Sequence, residues 1–151
     1  MAHVDFYVKN TMWIGGEDFW LHSFFSTIAS RLERDGWGSR FPALMNELYA
    51  GRLPLERVPE ARAELETILS ELRQLPPDAR VFAYEEPDRA TPWPVPPGAS
   101  SLADSFLTAS GENMLDLLAG VLDGAEEAHG DVEIRPLEQT GVHNYFVTGE
   151  R

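Results

Sequence analysis

The side chains best suited to chemistry in this chain are its four histidines, His3, His22, His129 and His143, and the adjacent carboxylates Glu85 and Glu86. Histidine titrates near neutrality and ligates metals, and paired carboxylates can act as general acid and base. Both uses need side chains gathered at one place. No two histidines stand three or four residues apart, so no helix turn presents a metal-ligand pair. His22 lies beside an apolar helical face and reads as a core or surface histidine. Glu85 and Glu86 are adjacent, so on a strand they would point to opposite faces and could not share one substrate. No G-x-S-x-G elbow marks a serine nucleophile, and "IGGED" follows its glycines with acids that repel phosphate. With no cysteine there is no thiolate and no disulfide framework. The expectation is a protein without catalytic activity, metal or cofactor. A small hydrolase built from distant carboxylates stays open as an alternative.

Hydrophobic spacing defines the elements that would position any such group. Val4, Phe6 and Val8 alternate in "HVDFYV" and predict a strand, and "TMWIGG" predicts a second that turns at its glycine pair. From Glu17 to Asp35 the apolar residues Leu21, Phe24, Phe25, Ile28 and Leu32 share one helical face. A short helix follows in "PALMNELYAG", with Leu44, Met45, Leu48 and Tyr49 inward. Another spans Val58 to Leu75 with spacings of three and four, which here means packing on its own domain rather than a coiled coil. "ARVFAYE" predicts a strand. Residues 86–100 carry five prolines and predict an irregular, stiff loop. Ser110 is the expected N-cap of a helix from Gly111 to about His129. "DVEIRPL" predicts a strand, and "VHNYFVTG" a last strand or part of a loosely packed tail from about residue 138. The sum is one α+β domain over residues 1–151, with a mainly antiparallel sheet of about four to six strands and three principal helices packed on it.

Two local features stand out. In "DGWGSRFPALMNELYAG" the flanking glycines let the chain reverse around Trp37, and Pro42 suits the first turn of a helix. Trp37, Phe41 and Pro42 therefore form a predicted structural corner, with Arg40 the residue expected to reach solvent or a partner. Trp93, in "TPWPVP", stands on a proline-stiffened loop, either as an interface anchor or folded back over the sheet edge.

Charge is the strongest compositional signal. Twenty-five acids face twelve bases, a net charge of −13. Such a field repels nucleic acid and anionic membranes and attracts basic proteins. From Glu85 to Glu138 twelve acids are opposed only by Arg89 and Arg135, whereas residues 1–40 are nearly balanced. Glu85, Glu86, Asp88, Asp123, Glu126, Glu127 and Asp131, with Trp93, are the candidate partner-binding residues. The N-terminus "MAHVDFYVKN" is unlike a signal peptide, and the apolar stretch "FWLHSFFSTIAS" is too short and polar to span a bilayer. The expected location is the cytoplasm.

Taken in order, "FFSTIASRLE", "GWGSRFPALMNELYAG", "EEPDRATPWP" and "SLADSFLTASGENMLDLL" resemble the bacterial immunity protein 70 family, over roughly Phe19 to Leu118. "WGSRFP" followed by "LMNELY" is the specific part, while "VFAYEEPDRATPWP" departs from the family's pattern. The resemblance implies a cytoplasmic protein that binds and neutralises a cognate toxin encoded beside it, and it brings no catalytic residues. A scaffold for another basic protein is the alternative reading.

Overall fold

The computed structural model describes residues 3–136. Strands β1 (His3–Val8), β2 (Thr11–Glu17), β3 (Arg52–Leu53) and β4 (Val132–Pro136) form one antiparallel sheet in the order β2-β1-β4-β3. Val4, Phe6 and Val8 are buried, as their alternation predicts. The glycine pair does not make a turn but a bulge within β2. Val4 pairs with Gly16 and Asp5 with Ile14, leaving Gly15 as the extra residue. Its amide donates to the buried Asp5 carboxylate at 3.0 Å, and a Cβ there would lie 2.5 Å from the Val4 carbonyl oxygen. Only glycine fits.

Helices α1 (Asp18–Leu32), α2 (Val58–Leu72) and α3 (Met114–Ala128) bury the faces that their spacing marks: Leu21, Phe24, Phe25 and Ile28; Val58, Ala61, Leu65 and Ile68; Met114, Leu118, Val121 and Leu122. Helix α3 lies against β1, β2 and β4, while α2 packs chiefly on α3 and on a short helix at Ala43–Leu48. The heptad-like spacing of α2 thus serves its own domain. Trp13 of β2 seals the sheet to α3, where Gly124 has no room for a side chain: a Cβ would come within 2.6 Å of the indole. The architecture is α+β, with four strands and three main helices.

Several local expectations give way to side chains that take over backbone hydrogen bonding. Residues 79–85, read as a strand, instead run along α1 into a turn closed by an Ala83–Glu86 bridge. Three hydroxyls of α1 stand where a neighbouring strand would be. The Val81 amide donates to Thr27 Oγ1 at 2.9 Å, Ser23 Oγ donates to the Val81 carbonyl at 2.6 Å, and the Tyr84 amide donates to Ser26 Oγ at 2.9 Å. Helix α3 is capped by Asn113, whose side chain accepts the Leu115 amide, and not by Ser110, whose hydroxyl bonds Thr108. The helix after Pro42 is a π-helix, with the Tyr49 amide reaching back to the Leu44 carbonyl at 3.0 Å. Residues 87–100 hold no helix or strand. The expected last strand or tail beyond 137 falls outside the described residues.

Candidate partner-binding face

The corner between α1 and the π-helix is organised by two acids. Glu33 ends α1 and is 3% exposed, and its carboxylate accepts the amides of Gly38 (2.9 Å), Arg40 (3.0 Å) and Phe41 (2.9 Å). Glu64 of α2 accepts the first two amides of the π-helix, Ala43 at 3.0 Å and Leu44 at 2.9 Å. Burial pushes the Glu64 carboxyl above its ordinary pKa, and those two amides pull it back. Gly38, at φ 80, lies so close to Asn46 that a Cβ would come within 2.3 Å of it.

Around this frame Phe41 is buried, Pro42 half-buried and Trp37 half-buried, the indole donating to the Met45 carbonyl at 2.9 Å. Arg40 is exposed to solvent, as expected, and it is also tied to the fold. Its guanidinium grips the Glu71 carboxylate of α2 at two points, donates to the Leu32 carbonyl at 3.2 Å and lies 4.9 Å from the Phe41 ring centre.

Beside the corner the structure assembles a cluster that local spacing does not reveal. His22 of α1 accepts the Tyr49 hydroxyl at Nδ1, and its Nε2–H donates to Glu85 Oε1 at 2.8 Å, the tautomer that satisfies both partners. The imidazole stacks on Trp37 at 5.9 Å, and Trp37 meets the edge of Tyr84 at 5.5 Å. A hydroxyl, an imidazole and a carboxylate in line have the order of a nucleophilic relay. Burial, with the charges of Glu85 and Asp18, pushes Tyr49 up to about 12, so its hydroxyl keeps its proton at neutral pH. The hydrogen bond from His22 holds the Glu85 carboxyl below its ordinary pKa, so it stays ionised. The arrangement fixes Glu85 to α1 while leaving it 67% exposed. Sequence separations of 27 and 63 residues explain why no motif marks it.

The predicted partner-binding acids divide into two groups. Glu85, Glu86 and Asp88 share the exposed turn that is pinned to α1, where among the described residues only Glu86 pairs with an arginine, Arg89 at 3.4 Å. Asp123 and Glu126 of α3 instead bind Arg62 of α2 at 2.8 and 2.6 Å. Asp131 accepts the Leu55 amide at 2.8 Å and pairs with Arg52, and both hold its carboxyl below the ordinary value. Glu127 is exposed on the last turn of α3. Trp93 is half-buried, stacked on Phe19 at 5.5 Å and on Phe82 at 5.8 Å, while its carbonyl accepts from Arg80 at 2.6 Å. It folds back onto the N-terminal end of α1 and does not stand free on its loop.

Among the described residues no three histidine, aspartate or glutamate side chains gather as a metal site, and no helix is long and apolar enough to cross a membrane. A search of curated proteins and one of solved structures find no match. The model of the family described as Immunity protein 70 matches residues 5–134, from the buried Asp5 to β4, and so takes in the corner, the α1-bound turn and all four strands. The chain belongs to the Immunity protein 70 family.

Proposed function

We propose that this protein binds and neutralises a cognate toxin domain by stoichiometric, non-catalytic association in the cytoplasm. Membership of the family over residues 5–134 is the observation that carries this reading. The net charge of −13 supports a basic partner and disfavours nucleic acid and anionic membranes. Within the reading, the contact face is the turn bearing Tyr84, Glu85, Glu86 and Asp88, bordered by Trp93. Its acids are exposed, with Glu85 hydrogen-bonded to His22 and Glu86 facing Arg89 at 3.4 Å, whereas Asp123, Glu126 and Asp131 are drawn into closer pairs with Arg62 and Arg52. Held in place by α1, the turn loses little freedom on binding. Trp37, Phe41 and Pro42 support this face from the corner without contacting the toxin.

The test is calorimetric titration of the protein with the toxin domain encoded beside its gene, together with the toxin's own activity assay. One-to-one binding that abolishes toxin activity is expected. Absence of binding to that domain overturns the proposal.

A further inference from the structure

On the far side of Trp93 a notch of about 310 Å³ is lined by Gly16, Glu17, Trp20, Trp93 and Ala109. Both indoles are held before any ligand arrives. Trp20 stands edge-on to Phe106 at 5.7 Å, and Trp93 is stacked between neighbours and anchored through Arg80. The space beside Gly16 is open because the residue carries no side chain, and its φ of 158 is one that residues with side chains rarely adopt. The rim carries one acid of the lining, Glu17, which is exposed and forms no salt bridge among the described residues.

We propose that this notch seats one lysine or arginine side chain of the toxin, a proposal that rests on the toxin-binding reading above. An apolar slot ending at a carboxylate matches a side chain with a hydrocarbon stem and a cationic head. Tryptophan is also the aromatic ring that cations favour most, and Trp20, whose aromatic neighbour Phe106 meets it edge-on, is the indole not already stacked by other rings. The start of α1 opposes a cation with roughly half a unit of positive charge, and Glu17 outweighs it with one full negative charge. A wholly apolar side chain would leave the charged rim unused. A basic residue meets both halves of the notch.

Two measurements test this. In the first, argininamide is titrated into the protein while the indole N–H signals of the tryptophans are followed by NMR, with norleucinamide as the uncharged control. Saturable shifts at Trp20 and Trp93 with argininamide alone are expected, and they should vanish in Ala109→Leu, which fills the notch from its exposed rim. In the second, toxin affinity is measured for Ala109→Leu and Glu17→Gln after their melting temperatures are shown to match the wild type. Each should bind the toxin roughly tenfold more weakly. Wild-type toxin affinity in both variants overturns the notch and leaves the toxin-binding reading standing. Argininamide shifts in a protein that does not bind the toxin overturn that reading and keep the notch as a cation seat. Absence of argininamide shifts together with unchanged variants removes the proposal.

Discussion

The carboxylate of Glu33 and the backbone amide of Phe41 meet at 2.9 Å, and the same carboxylate takes the amides of Gly38 and Arg40. The residue that ends α1 therefore dictates the path of the eight residues after it. Hydrogen bonds to a buried charge are among the stronger ones, and amides left without an acceptor incur a desolvation cost. Glu33→Ala should lower unfolding free energy by about 3 kcal/mol in urea titrations. Glu33→Gln keeps one acceptor oxygen and should lose less. A loss within about 0.5 kcal/mol for the alanine variant would assign the corner to its glycines instead.

Trp37 is packed by His22, Tyr49 and Tyr84 and is half-buried. Truncation to alanine should cost about 3 kcal/mol, at the lower end for aromatic residues. The folded fraction should keep its toxin affinity when binding is measured well below the melting temperature. A Trp37→Ala protein that melts normally and fails to bind would move the corner into the interface.

The two acidic groups should behave differently. Neutralising Glu85, Glu86 and Asp88 should slow toxin association about tenfold at low salt and progressively less as salt screens the field. Neutralising Asp123 and Glu126 removes partners of Arg62, and should instead reduce stability by about 0.5 kcal/mol with a smaller change in association rate. Stopped-flow association across salt concentrations separates these outcomes. Equal rates for both sets would defeat the assignment of the face.

Tyr49 and Asp131 bend the pH profile of stability at opposite ends. A tyrosine whose folded pKa is raised from 10.0 to about 12 contributes stability that is intact below pH 10.0 and drains away as pH rises towards about 12. Tyr49→Phe should flatten that alkaline decline. Asp131, lowered by the Leu55 amide and Arg52, contributes stability present above the unfolded value near 3.8 and lost as pH falls through its folded pKa. Asp131→Asn should blunt the acid limb. Denaturant titrations across pH provide the test, and an unaltered limb in either variant contradicts the corresponding assignment.

The main elements were legible because burial imposes a period: Phe24, Phe25 and Ile28 on α1 or Val4 and Phe6 on β1 declare their faces through spacing alone. Residues 79–85 misled for a physical reason. Their consecutive apolar residues Val81, Phe82, Ala83 and Tyr84 suit a strand, yet Ser23, Ser26 and Thr27 of α1 satisfy their backbone in place of a strand partner. Glu33 and Glu64 were invisible for a related cause. Local pattern treats an acid as solvent-facing, and only the fold brings orphan amides to its side chain. The joining of His22 to Tyr49 and Glu85 needs contacts between segments that no short window spans. Trp93 was legible as a special residue, while its stacking on Phe19 was not.

The order β2-β1-β4-β3 sets a schedule for synthesis. β1 leaves the ribosome well before β4, and its flank on that side stays unpaired until Val132–Pro136 has been made. Long-range pairing of this kind closes late and slowly. Until then Phe6 and the apolar face of α3 lack their final cover, a state prone to aggregation and attractive to chaperones. On the toxin-binding proposal, protection cannot come from a nascent chain and needs a finished pool in advance.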